Sequence, residues 1–189
     1  YKQTNVDEGF SLTGKQNGVL AVIMHFAHQF FIRAGKKEWA EQGVRWIISY
    51  FPFDRNEPSN WQGKDLFQRF GGCVGNSPCY DGVVKSVKAL SEYAEKYGEL
   101  PGLRTKLQQG LDYFLKHRVI FHQNNDDIYT MIDHAFLPYP YRTNIIEALS
   151  VLKTEKLLDR PECQAALDYL KTKQRSDGFW QAEKIFYEK

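Results

Sequence analysis

Cysteine is scarce in this chain: three thiols in 189 residues, Cys73, Cys79 and Cys163, an odd number at irregular spacing. That excludes a disulfide framework and points to a reducing compartment, with the cytoplasm as the expected one. Long apolar runs are missing too. The strongest, Gly18 to Ile32, is broken by His25, His28 and Gln29. It falls short of the roughly 20 apolar residues of a membrane span and reads as a buried helix, so the chain is not expected to be transmembrane. An excess of one charge is absent as well. The formal net charge is +2, and Lys and Arg are interspersed with Asp and Glu. No clustered basic face is left for nucleic acid. There is no Ser-His-Asp order and no glycine-rich phosphate loop, because Gly14-Lys15 lacks the preceding glycine spacing.

What is present is an ordinary globular composition, 42% apolar and 25% charged, in a chain long enough for one core. A single domain over 1–189 is the expectation. Three segments align with one another: Gln42-Gly43-Val44-Arg45-Trp46-Ile47, Gln109-Gly110-Leu111-Asp112-Tyr113-Phe114 and Ala165-Ala166-Leu167-Asp168-Tyr169-Leu170. Each offers a small residue, an aliphatic, a charge, an aromatic and a large apolar residue. A second apolar-periodic stretch precedes each at similar distance, starting at Gly18, Gly82 and Asn144. Val83, Val87, Leu90 and Ala94, like Leu103, Leu107, Leu111 and Phe114, follow helical rather than alternating spacing. Asn144 with Glu147 has the form of a capping box, Asp159 stands before Pro161 and Glu162 in the same sense, and Gly98 with Pro101 separates two helices. The reading is all-α: three tandem helix pairs with helices near 17–33, 36–51, 82–97, 102–117, 144–155 and 161–174.

The loop closing the third pair contains Gln174, Asp177, Gly178, Phe179 and Trp180. It resembles the Q-x-x-D-G-x-W element of squalene cyclases, which recurs more loosely in protein prenyltransferase β subunits. Gly72-Cys73-Val74-Gly75-Asn76 and Cys79-Tyr80-Asp81-Gly82 are similar to the loop-to-helix entries of the same toroids. The resemblance implies an α/α toroid-like array, here a half or small toroid, with Asp-Gly making a tight turn and Trp180 largely buried.

The resemblance implies two chemistries. Cyclases of that type protonate their substrate through a D-x-D-D element, and here the acidic loop pair is Asn124-Asn125-Asp126-Asp127. Asp126 and Asp127 are candidates, with a solvated turn as the plain alternative. Protein prenyltransferases hold zinc in a D-x-C order with a later His. Here the order is reversed, Cys79-Tyr80-Asp81, with His117, His122 and His134 downstream. Cys73, Cys79, His117 and His122, with Asp81 as a further candidate, contain the ligand types zinc takes, so zinc is the cofactor to look for. Against that, the cysteines also suit packing, Asp81 suits a helix N-cap, and His117 suits a helix C-terminus. An antiparallel second pair would bring Cys73, Cys79 and Asp81 to the same end as His117 and His122. His25 and His28, three residues apart on the apolar first helix, and Tyr80 are candidates to line a cavity.

The family resemblance and the aromatic helix faces point to binding of a hydrophobic isoprenoid-like molecule in an aromatic-lined hollow, with its conversion left open, in the manner of a terpenoid cyclase or prenyltransferase. The alternative is a non-catalytic helical-repeat scaffold that binds a protein or peptide on its concave face. An array this short leaves terminal apolar faces that a homo-oligomer would cover.

Overall fold

The computed structural model describes residues 5–6, 9–10, 29–54, 78–129, 132 and 142–183. These residues are helical apart from turns, two isolated bridges and a minimal antiparallel ladder. In that ladder β1 (Asn5–Val6) pairs with β2 (Gly9–Phe10) in the register Asn5 to Phe10 and Val6 to Gly9. Five longer helices follow: α1 (Lys37–Tyr50), α2 (Tyr80–Tyr97), α3 (Leu103–Lys116), α4 (Ile145–Thr154) and α5 (Pro161–Thr172). The all-α reading holds, and these helices stand within about two residues of the spans read from spacing and caps. Among the described residues no helix is long and apolar enough to cross a membrane. The chain divides into two compact units, residues 1–110 and 111–189, so α3 begins in one and ends in the other.

In the first unit, residues 29–33 are helical and stop at Gly35, whose φ of +69° only glycine adopts without strain. Gly35 N donates to Ile32 O and Lys36 N to Phe31 O, the paired bonds of a Schellman stop. Ile32 O also accepts from Lys96 Nζ at the end of α2, which puts a cation on that terminus. Ala40, Gly43, Val44 and Ile47 make the buried stripe of α1, at the three-to-four spacing of one helix face. Between α1 and α2, Tyr93 Oη donates to Glu41 Oε2 at 3.1 Å, while Arg45 holds Glu41 Oε1 at 2.6 Å. The Arg45 bond lowers the Glu41 pKa, and burial followed by the Glu41 bond pushes Tyr93 up to about 12.

α2 starts two residues earlier than its apolar pattern suggests. Cys79 takes the N-cap position with extended backbone and no side-chain capping bond, and Asp81 falls in the first turn. Asp81 is therefore not the cap; it sits where a carboxylate complements the positive end of the helix. Gly98, at φ +87°, ends α2. At Gly110 a methyl group would lie 2.3 Å from Val87 Cγ2 and 3.1 Å from the Phe53 ring, so the small residue is what lets α2 and α3 approach.

In the second unit α3 ends in two consecutive left-handed residues, Arg118 (φ 41°) and Val119 (φ 70°), with Val119 N donating to Phe114 O. That conformation is costly for a β-branched side chain, and Val119 is fully buried, so packing offsets it. Asn144 caps α4 as read from the sequence, its Oδ1 accepting from Glu147 N at 2.9 Å. The Glu147 carboxylate accepts from the Thr143 hydroxyl at 2.9 Å. Asp159 does not cap α5. Arg160 is the N-cap, without a side-chain capping bond, its guanidinium pairing with Glu162 at 2.9 Å, and Pro161 supplies the first-turn backbone. The thiol of Cys163 is buried beside Leu157 O, and burial raises its pKa.

The three aligned segments lie on α1, α3 and α5. Gly43, Gly110 and Ala166 are buried, and Arg45, Asp112 and Asp168 are exposed. Trp46 and Tyr113 are buried, whereas Tyr169 is half-buried.

Candidate functional site

Two groups of side chains in the second unit are organised beyond what a core needs. The first surrounds a pocket of about 380 Å³ lined by Ile145, Ile146, Leu170, Lys173, Trp180, Gln181, Ala182 and Glu183. Its parts come from three places. The Asn144 cap fixes the first turn of α4, which supplies the two isoleucines. The end of α5 supplies Leu170 and its C-cap Lys173. A tight turn then folds the chain back: Gln174 bridges to Trp180, Phe179 N donates to Asp177 Oδ1 at 3.1 Å, and Gly178 adopts φ +84°.

That turn is where the resemblance to the toroid element is carried, and its Asp-Gly geometry is as expected. The tryptophan is not. Trp180 is 41% exposed, and its Nε1 donates to Leu170 O at 2.8 Å, a carbonyl at the end of its own preceding helix that also accepts from Lys173 N. The indole thus caps α5 and walls the pocket instead of being sealed in a core. Phe179 beside it is 73% exposed. Lys173 Nζ pairs with Glu183 Oε1 at 2.8 Å and lies 5.2 Å from the Tyr169 ring centroid, within cation–π range.

The second group gathers aromatic and imidazole rings after α3. Tyr113 lies 4.4 Å from His117, and Tyr129 lies 5.4 Å from His117 and 4.2 Å from His122, nearly parallel to the latter. His117 is fully buried. Its Nδ1 is 3.0 Å from Phe121 O, and because a carbonyl only accepts, Nδ1 carries the proton in that bond. A short bridge between Phe121 and Ile128 holds the loop that brings Tyr129 back.

Compared with protein-family models, curated proteins and solved structures, the chain matches none.

The candidates read from sequence are placed as follows. His117 and His122 share the Tyr129 ring, so the structure brings these two together. Asp126 and Asp127 are in the exposed loop between His122 and Tyr129, Asp126 paired with Arg118 at 2.8 Å and Asp127 accepting from Asn125 at 2.7 Å. Cys79, a half-buried thiol, Tyr80, which is buried, and Asp81 open α2 in the first unit. His25, His28, Cys73 and His134 lie outside the described residues. Among the described residues no three of His, Cys, Asp and Glu gather to hold a metal ion. The imidazole pair alone is one short of the three protein ligands of a catalytic zinc.

Sequence reading did not single out Lys173, Glu183 or the isoleucines as site residues. The signals for them were the capping pattern at Asn144, which fixes where α4 begins, and the Asp-Gly turn, which sends residues 180–183 back along α5.

Proposed function

We propose that this chain binds an apolar, isoprenoid-like small molecule, within an α/α toroid-like array of helix pairs. One observation carries the reading: the pocket of about 380 Å³ has aliphatic walls from Ile145, Ile146 and Leu170, an indole wall from Trp180, and a single charged pair, Lys173 with Glu183. Its volume is within the ~300–1,000 Å³ of small-molecule sites, and its walls are somewhat more apolar than polar. The reading commits to binding and assigns no bond-making step. Titration with geraniol and farnesol, followed by tryptophan emission, tests it. A saturable change that Trp180→Phe removes supports the pocket.

The exposure of Phe179 beside Trp180 favours a second reading, a scaffold that docks a protein or peptide through this turn. Absence of any saturable response to either alcohol, in emission and in calorimetry alike, leaves that reading in place of the first.

A further inference from the structure

The corner between residues 29–33 and α1 carries positive charge that the chain does not balance. Arg33, Lys36 and Lys37 follow closely in sequence, and all three are exposed. The fold adds a fourth cation. Lys96, exposed in the last turn of α2, donates through Nζ to Ile32 O, so its ammonium group stands beside the same corner. The half-buried Tyr97 ring has Lys37 Nζ at 5.9 Å and Lys96 Nζ at 5.5 Å from its centroid, which brings two like charges to one ring. Among the described residues no carboxylate forms an ion pair with Arg33, Lys36, Lys37 or Lys96. Glu41 is taken by Arg45 and Tyr93, and Glu38 and Glu95 neighbour the cations in sequence without pairing with them. An apolar residue shares the corner. Phe30 is 67% exposed, and among the described residues it is the one large exposed apolar side chain of the first unit. Arg33 follows it at the three-residue spacing of one helix face. A methyl group added at Gly35 would meet nothing within 4 Å, so the turn itself is open to a broad partner.

We propose that this corner docks on a lipid surface bearing anionic headgroups. Arg33, Lys36, Lys37 and Lys96 lie against the headgroups, and Phe30 enters the layer beneath them. Such a surface supplies both things the corner lacks, counter-charge and apolar cover. Its attraction fades within a Debye length, so charges act together only where the fold gathers them, as it gathers Lys96 to the turn. Single-stranded nucleic acid fits less well, because it is held along a groove by successive stacked rings and this corner presents Phe30 alone. The proposal is independent of the pocket reading, since all its residues belong to the first unit.

Sedimentation of the full chain with vesicles of phosphatidylcholine alone, or of phosphatidylcholine and phosphatidylserine in equal parts, tests it. Wild type is expected to bind the mixed vesicles far more tightly than the neutral ones and to be released as salt rises. Each cation near such a surface contributes a factor of about five, so Lys36→Gln with Lys37→Gln is expected to lower the partition coefficient about 25-fold. Lys96→Gln is expected to lower it about fivefold, although 64 residues separate it from Ile32. Phe30→Ser should lower it while leaving the salt dependence unchanged. Lys171→Gln with Arg175→Gln removes two cations of the second unit that already sit in ion pairs, and is expected to leave partitioning nearly unaltered. Circular dichroism melts of every variant confirm that the exposed substitutions leave the fold intact. The proposal is overturned if neutral and mixed vesicles bind alike, if wild type binds neither, or if the two double variants lose binding equally, which would make net charge the cause. Tighter binding to single-stranded DNA than to mixed vesicles at the same salt overturns it in favour of nucleic acid. Saturable heat from inorganic phosphate alone, lost in Lys36→Gln with Lys37→Gln, overturns it in favour of a free anion.

Discussion

Helices α2 and α5 have similar apolar spacing and opposite fates. Eleven of the eighteen residues of α2 are buried, among them Lys85 and Ser86, so polar positions are enclosed along with apolar ones. Only Cys163 and Ala166 are buried among the twelve residues of α5, while Leu167, Tyr169 and Leu170 are half-exposed. Periodicity marks which face of a helix is turned inward; it does not say how completely that face is covered. The difference also locates the pocket, because Leu170 lines it from a helix that is incompletely covered.

The sharpest test substitutes the aligned pair Ile47 and Leu170. Ile47 is fully buried on α1, so Ile47→Ala is expected to cost about 2–5 kcal/mol, the usual range for emptying an aliphatic core site. Leu170→Ala is expected to cost clearly less, since much of its surface already meets solvent. Equal losses in urea unfolding would mean that the aligned positions of α1 and α5 are covered alike, and the incomplete cover of α5 would fall.

Gly110→Ala comes next. Its methyl group has no room against Val87 Cγ2 and Phe53, and overpacking of this kind costs about 1–3 kcal/mol, partly offset by the better helix propensity of alanine. Combining it with Val87→Ala should recover more stability than the two separate losses predict. Strict additivity in that double-mutant cycle would show that the close approach is not the reason for the glycine.

A smaller effect is expected at the start of α4. Asn144→Ala removes the bond to Glu147 N, a loss of about 1 kcal/mol, and should also loosen the two isoleucines of the pocket. Fluorescence titration with geraniol would then weaken alongside thermal stability. A stability loss with unaltered titration would separate the cap from the pocket.

The smallest effect at neutral pH lies in the first unit. The Tyr93 phenol titrates near 12 in the folded chain against an ordinary 10.0, so the folded state favours its protonated form. Its contribution is intact below pH 10 and is lost as the pH rises toward 12. Glu41 behaves in the opposite sense: its lowered pKa gives stability above the ordinary 4.5 that is lost as pH falls through the folded value. Tyr93→Phe is therefore expected to flatten the alkaline limb of the stability profile, and Glu41→Gln the acid limb. An unchanged alkaline limb in Tyr93→Phe would mean that the phenol titrates alike in both states.

The helices were legible because their signals are local. Three-to-four spacing within α2 and α3, Gly98 and Pro101 between them, and Asn144 before α4 each act over a few residues. The start of α2 was missed by two residues because nothing in Tyr80-Asp81 opposes a helix, and an early carboxylate suits its first turn. Trp180 was misread for a different reason. Its partner, Leu170 O, is a backbone atom, which no side-chain pattern reveals. The Lys173–Glu183 pair escaped notice because charges ten residues apart become neighbours only through the turn at Gly178. At the imidazole pair, the sequence placed His117 at a helix end but could not show that Tyr129 returns to meet it. That return depends on two left-handed residues, Arg118 and Val119, neither of them a glycine.

The turn after α5 has a consequence for how the chain assembles. Its bonds all close over short stretches: Arg175 N to Phe179 O, Gly178 N to Arg175 O, Gln174 Nε2 to Gly178 O and Trp180 Nε1 to Leu170 O. Loop entropy for closures this short is small, and no distant segment has to arrive first. The contacts are of the kind that favour rapid formation, since their separation along the chain is low. This helix carries its own stop, which can set as soon as residue 180 has been made.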